Sequence, residues 1–254
     1  MLPYRDENET VRTPVVTYAI IALNVLVWFM VQGAGTPERL AASVCNLGLI
    51  PGELTARATP GDGFAMGLGM SCLVDPGRAP QHIVTSMFLH GGWGHILGNM
   101  WFMWIFGNNV EDSMGRLRFV AFYLLSGVGA ALAQVFTQPA SIVPMVGASG
   151  AISGVMGAYI ILYPRVRVFT LVPLGFFLTT IALPAWVMLG YWIALQFLGS
   201  FGGAETGVAF WAHIGGFVVG AALIKVFARP AYIAEHRARH WRPKHLGFDR
   251  SGWR

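Results

Sequence analysis

A serine, three histidines and an asparagine are the residues with which this 254-residue chain could do chemistry. Ser149 stands in Val146-Gly147-Ala148-Ser149-Gly150-Ala151, a small-residue run that opens an apolar stretch ending at Tyr163. His213 stands in Trp211-Ala212-His213-Ile214-Gly215-Gly216, where small neighbours leave its ring accessible. His90, His95 and Asn99 share a third apolar stretch. A serine hydroxyl is a weak nucleophile until a neighbouring base takes its proton, and histidine is suited to that task near neutral pH. Alone, Gly-x-Ser-Gly is uninformative, because glycine beside serine is common in turns. A lone buried histidine is as readily a packing residue as a base. Ionisable groups inside apolar spans are costly, however, and by default point to function.

The spacing supports acyl transfer. All 12 aspartates and glutamates lie outside the apolar stretches, so a Ser149–His213 dyad is expected rather than a triad with a carboxylate. His95 and Asn99 are four residues apart, on one face of a helix, and can offer side-chain donors to an oxyanion. Backbone N–H groups at the start of the Ser149 helix add the positive end of its dipole. His90 lies five residues before His95, behind Gly91-Gly92, and need not share that face. A metal site built from His90, His95 and His213 is the weaker alternative, because no thiolate or carboxylate joins them. Ala151 stands where the nucleophile elbow of the α/β-hydrolases needs a second glycine, so that fold is excluded.

The elements that must position these residues are membrane spans. The chain is 55% hydrophobic and 11% charged, whereas soluble domains carry roughly 25% charged residues. An all-α integral membrane protein follows, with one domain and six spans: Val15–Val31, about His82–Val110, about Phe119–Phe136, Ser149–Tyr163, a fifth within Leu171–Leu198, and about Gly207–Phe227. Segment 1–14 precedes the membrane domain of 15–228, and a basic tail covers 229–254. Asp6, Glu7 and Glu9 argue against a basic signal-peptide start, so the first span is expected to be retained. Residues 32–80 read as a long, partly structured loop at the membrane surface. Its Cys45 and Cys72 are equally compatible with a disulfide and with two free thiols. Glu111, Asp112, Arg116 and Arg118 read as a short charged turn after the second span, Pro173 and Pro184 as an irregular entry to the fifth, and Gly199–Thr206 as a turn.

With the N-terminus inside, 14 of the 17 lysines and arginines fall on the inner side, as the positive-inside rule requires. The basic tail needs no nucleic-acid role, because anionic headgroups hold juxtamembrane cations. In this orientation His90, His95, Asn99, Ser149 and His213 all fall toward the outer ends of even-numbered spans. The Ser149 span, at about 22 Å for its length, is shorter than the ~30 Å hydrocarbon core. The serine therefore lies below the outer surface, at the foot of a loop that dips into a water-reachable cavity. Gly150, Gly154 and Gly157 on one span, and Gly216 and Gly220 on another, suit close helix approach that would bring Ser149 and His213 together.

These motifs together resemble the rhomboid intramembrane serine proteases in their compact six-helix bacterial form. The resemblance runs from the first span to Phe227. It rests on His90-x4-His95-x3-Asn99 on the second helix, Gly147-Ala-Ser149-Gly150 opening a short central fourth helix, and Ala212-His213-Ile-Gly215-Gly216 on the sixth. Asn46-Leu-Gly-Leu-Ile-Pro51 and Gly107-Asn-Asn-Val-Glu111-Asp are softer echoes. The resemblance implies Ser149 as nucleophile and His213 as general base. It implies His95, Asn99 and the Ser149 N–H as oxyanion donors, His90 as a supporting histidine, and Gly147 and Gly150 as the turn that exposes the serine. The implied substrate is a peptide bond in or beside the transmembrane helix of a client membrane protein, reached laterally from the lipid bilayer, and the resemblance implies no metal and no organic cofactor. No Arg/Ser-rich, acid-poor transit peptide precedes the first span, so a prokaryotic plasma membrane is expected, with both termini cytoplasmic and the active site opening outward. One departure stands out: some members carry an aromatic residue four positions after the nucleophile, stacked on the base, and here that position is Ser153. The rival functions are a non-catalytic rhomboid-like binder of membrane clients, which would lack dependence on Ser149, and a transporter, which would show internal repeats that this sequence does not contain.

Overall fold

In the computed structural model, the described residues are all of 1–254 except Leu68, Pro76, Arg78, Gly175, Phe176, 202–207 and 241–254. The apolar stretches fold as helices α1 (Val15–Met30), α5 (Trp93–Met114), α6 (Arg116–Thr137), α7 (Ser149–Leu162), α8 (Ala185–Gly199) and α9 (Phe210–Phe227). Among the described residues α6 and α9 are long and apolar enough to cross a membrane by length and composition. The central helix is α7, in which every residue from Gly150 to Tyr159 is buried. Polar side chains such as Thr17, Asn24 and Ser153 point inward, while Leu97, Trp104, Leu117, Phe136, Val218 and Val226 are exposed on the periphery. An apolar exterior around a partly polar interior is the pattern expected of a bundle solvated by lipid.

Glycines set the spacing of α7 and α9. A Cβ placed on Gly216 would lie 2.0 Å from the Gly150 carbonyl oxygen, and one on Gly220 would lie 2.0 Å from that of Gly154. A Cβ on Gly157 would lie 2.1 Å from the Phe217 oxygen. The two backbones touch, and a side chain at any of these three positions would separate them.

The second apolar stretch departs from expectation at both ends. It opens with α4 (His82–Thr85) and a single 3-10 turn (Ser86–Phe88), and only after Gly91-Gly92 does α5 begin. His90 therefore precedes the helix that carries His95 and Asn99, instead of lying on it. At the other end α5 runs on to Met114, and the expected charged turn does not form there. Glu111 and Asp112 are buried helix residues, so not all acidic residues lie outside the helices. They are tolerated because their oxygens are satisfied. The Glu111 carboxylate accepts the N–H groups of Val16 (3.0 Å) and Thr17 (2.7 Å) and the Thr17 hydroxyl (2.8 Å), capping α1 where Pro14 cannot. Asp112 accepts the N–H groups of Val11 (2.9 Å) and Arg12 (3.0 Å) and the Arg12 guanidinium (3.2 Å). The turn itself shrinks to Gly115, whose φ of +83° suits glycine.

Nor is the chain all-α. Residues expected to lead irregularly into the fifth span form an antiparallel hairpin of β4 (Arg167–Leu174) and β5 (Phe177–Pro184), in register from Arg167–Pro184 to Leu174–Phe177. Strand β1 (Leu2–Asp6) adds to β4 as a third strand. Val168, Phe169, Thr170, Val172, Thr179, Thr180 and Ile181 favour a pleated surface, and Pro173 opposes helix. The long first loop is likewise structured, with α2 (Pro37–Leu47), α3 (Pro51–Thr55) and a hairpin of β2 (Gly63–Gly67) and β3 (Met70–Leu73). A Cys45–Cys72 disulfide ties α2 to β3, settling what spacing left open. The expected Gly199–Thr206 turn lies largely outside the described residues, as does the tail beyond His240. Its first part, α10 (Pro230–His240), docks on the N-terminal segment. There Arg12 forms an ion pair with Glu235, and its guanidinium lies 3.6 Å from the Tyr232 ring centroid.

Candidate active site

Ser149 is the first residue of α7, and the chain ahead of it is held in place. Leu49 and Met145 exchange two backbone hydrogen bonds (3.0 and 2.8 Å), and the Gly147 N–H donates to the Ser86 carbonyl (2.9 Å). Gly147 then turns with φ +130°, which an L side chain rarely adopts. The Ser149 hydroxyl emerges 2.8 Å from His213 Nε2. His213 sits in the first turn of α9, and the glycine contact between α7 and α9 fixes the separation. The hydroxyl of Ser153, four residues on, turns away to donate to the Ser149 carbonyl at 2.6 Å.

The His213 ring is oriented from α8, which sequence reasoning missed. Trp192 packs on the imidazole with ring centroids 5.8 Å apart and planes tilted by 40°. His213 Nδ1 lies 2.8 Å from Gln196 Oε1. A signal was present: Gln196 is the sole carboxamide or charged side chain between Arg167 and Glu205, one helical turn after Trp192. The ring thus has its neighbours on α8, while the Ser153 side chain is engaged with the Ser149 carbonyl.

On the other side stands α5. The Gly91 N–H donates to His95 Nδ1 at 3.2 Å, which leaves His95 Nε2 as the protonated nitrogen. A Cβ on Gly147 would lie 2.7 Å from that Nε2 and 3.4 Å from Ser149 Oγ, so both atoms border one small space. Asn99, one turn after His95, has a buried Nδ2 with no hydrogen-bond partner among the described residues. His95, Asn99, Ser149, Gly150, Gln196 and His213 all line one cavity of about 740 Å³. His90 does not line it. Gln32 clamps its backbone with two 2.8 Å hydrogen bonds, and its ring meets that of His95 edge-on, centroids 5.2 Å apart. Among the described residues no three histidines, cysteines or carboxylates are grouped so as to hold a metal ion. A hydroxyl on an imidazole, beside unengaged N–H donors, in an open cavity, is the equipment of acyl transfer.

Residues 78–230, more than half of the chain, match the rhomboid domain. Among curated relatives, the rhomboid protease GluP of Bacillus subtilis is 28% identical over 207 residues, 82% of this chain and 34% of its own length. The rhomboid protease AarA of Providencia stuartii is 31% identical over 149 residues, 54% of this chain and 52% of its own. Rhomboid-like protein 11, a chloroplastic protein of Arabidopsis thaliana, is 42% identical over 71 residues, 28% of this chain and 25% of its own. The chain thus spans a quarter to about half of the length of these relatives. With the domain match covering α5 to α9 and the site they enclose, the chain is an integral membrane protein and belongs to the rhomboid family.

Proposed function

We propose that this protein is an intramembrane serine endopeptidase that cuts peptide bonds in or beside the transmembrane helices of client membrane proteins. The observation that carries the reading is the 2.8 Å contact between Ser149 Oγ and His213 Nε2, inside a cavity lined by hydrogen-bond donors. Membership of a family whose relatives include proteins named rhomboid proteases supports it.

As Ser149 Oγ attacks the scissile carbonyl carbon, its proton passes to His213 Nε2. The carbonyl oxygen takes up the negative charge, facing the Ser149 backbone N–H, the His95 Nε2–H and the Asn99 Nδ2–H. The N-terminal end of the α7 dipole adds positive potential. The tetrahedral adduct collapses when the imidazolium gives its proton to the departing amide nitrogen. An acyl-enzyme ester and a free amine remain. Water, deprotonated by His213, attacks the ester carbonyl, and the serine recovers its proton as it leaves. No acidic side chain takes part, and His90 serves by backing the His95 ring.

In the bilayer, α1 and α5 to α9 form six spans, with 15–228 as the membrane domain, 1–14 and the basic tail 229–254 inside, and the 32–80 segment outside. The Cys45–Cys72 disulfide supports that placement, since such bonds persist in oxidising compartments. The 14 residues of α7 give about 21 Å of helix against a hydrocarbon core of ~30 Å, which sets Ser149 below the outer surface. A prokaryotic plasma membrane is the place that fits.

The test is cleavage of a single-span client by the purified chain in liposomes, beside Ser149→Ala and His213→Ala and with a chelator. Product from the native chain alone, unaffected by chelator, is expected. Cleavage that survives Ser149→Ala would overturn the dyad. Client that binds but is never cut would establish the non-catalytic binder instead.

A further inference from the structure

We infer that Gln196, on α8, is the positioning residue that fixes the tautomer of His213. The inference rests on the dyad reading and goes beyond it. A neutral imidazole can serve as base toward Ser149 only if Nε2 carries the lone pair and Nδ1 the proton. Nothing on α7 or α9 imposes that choice. Gln196 does, through a chain of hydrogen bonds whose direction is forced at its far end.

The Gln196 Nε2 amino group lies 3.3 Å from the Trp192 carbonyl oxygen, one turn earlier on the same helix. A backbone carbonyl can only accept, so the amino group of Gln196 must face it. The carboxamide is thereby held with Oε1 toward His213 Nδ1, at 2.8 Å. Oε1 also can only accept, so Nδ1 must carry the proton. Nε2 is left with its lone pair toward the Ser149 hydroxyl, 2.8 Å away. The order reads Ser149 O–H to His213 Nε2, His213 Nδ1–H to Gln196 Oε1, and Gln196 Nε2–H to Trp192 C=O. Trp192 serves twice, because its ring also flanks the imidazole. A neutral acceptor thus does the orienting half of what a buried carboxylate does in a triad, in a span where a charge would be costly.

The geometry separates acceptance from packing. Gln196→Met keeps the length of the side chain and removes the acceptor. Gln196→Glu keeps the acceptor. If Gln196 positions the base, Met lowers kcat by about 10- to 100-fold with KM within twofold, and Glu, which can still accept from Nδ1 but no longer donates to the Trp192 carbonyl, loses clearly less than Met. Nitrogen-15 spectra of His213 give a readout independent of turnover: a protonated Nδ1 in the native chain and in Glu, and a mixed or Nε2-protonated ring in Met. Native-like cleavage and an unchanged ring spectrum in Met would overturn the inference, as would a Glu variant impaired as badly as Met. Failure of the dyad reading would look different, with cleavage persisting in Ser149→Ala or His213→Ala. A native spectrum with the proton on Nε2 would refute the tautomer assignment whatever the activity.

Discussion

Gly216→Ala tests whether helix spacing sets the active site. In the native bundle a Cβ at Gly216 would lie 2.0 Å from the Gly150 carbonyl oxygen. An unstrained carbon–oxygen contact needs about 3.3 Å, so α9 must retreat by roughly 1.3 Å at this point. His213 is three residues away on the same helix and moves with it. Its Nε2, 2.8 Å from Ser149 Oγ, would then stand at about 4 Å, beyond hydrogen-bond reach. Overpacking of this kind costs about 1–3 kcal/mol of stability, and a misplacement of about 1 Å at the reacting groups costs on the order of 100-fold in rate. Gly220→Ala is the control. It meets the Gly154 oxygen at the same 2.0 Å, one turn farther from His213. Both variants should lose similar thermal stability in detergent, while client cleavage should fall much further in Gly216→Ala. A folded Gly216→Ala protein that cleaves within threefold of the native rate would refute the reasoning.

Other expectations follow from separate parts of the structure. Gly147→Ala would force an L side chain to φ +130° and place its methyl 2.7 Å from His95 Nε2; kcat should drop at least about 100-fold, and a rate within tenfold of native would contradict the assigned turn. Burial pushes the Asp6 carboxyl up to about 6, against hydrogen bonds such as the one from Tyr159 that favour its charge. The folded state therefore holds this proton more tightly than the unfolded one, and the stability contributed by Asp6 is full below about pH 4 and falls as pH rises to about 6, by at most about 3 kcal/mol. Asp6→Asn should remove that loss and raise the melting temperature at pH 7.5 relative to pH 4.5, as read by thermal unfolding; an equal change at both pH values would contradict it. Cys45→Ser, which opens a disulfide spanning 27 residues of sequence, should cost about 3 kcal/mol in thermal unfolding yet leave cleavage within about threefold of native, because neither cysteine lines the cavity that holds Ser149, although Val44, Phe64 and Met66 of the same segment do. Loss of cleavage in a folded Cys45→Ser protein would make the outer segment part of the catalytic apparatus.

The residues of the candidate site that stood out in the sequence were those whose chemistry is unusual in an apolar setting. Ser149, His213, His95 and Asn99 announced themselves because a polar side chain in a charge-free run needs a reason. The glycines of α7 and α9 also predicted a contact that the structure contains. Gln196 passed unnoticed although it met the same criterion, because an uncharged amide on a helix is easily taken for packing, and its partner lies on another helix. The hairpin of β4 and β5 was missed because hydrophobic runs of strand and helix look alike when both faces are apolar. Val168, Thr170, Thr179, Thr180 and Ile181 were the clue, but membrane-span length dominated the reading. Glu111 and Asp112 were placed in a turn because charge normally ends a span. Here their oxygens cap α1 and the segment before it, an arrangement that depends on tertiary contact and so leaves no local signal. His90 was counted into the second span with His95 and Asn99, whereas the Gly91-Gly92 break delays the helix until Trp93.

Active-site labelling by a fluorophosphonate, read by peptide mass spectrometry, probes the nucleophilicity of Ser149 and its dependence on His213 in a single experiment. Attack by Ser149 Oγ on phosphorus expels fluoride and leaves a stable ester on that oxygen, and the same imidazole must take the proton. One adduct per chain is expected, on the peptide containing Ser149, abolished in Ser149→Ala and reduced at least about 100-fold in rate by His213→Ala. An unlabelled Ser149 in a folded, cleaving protein, or labelling indifferent to His213, would contradict it.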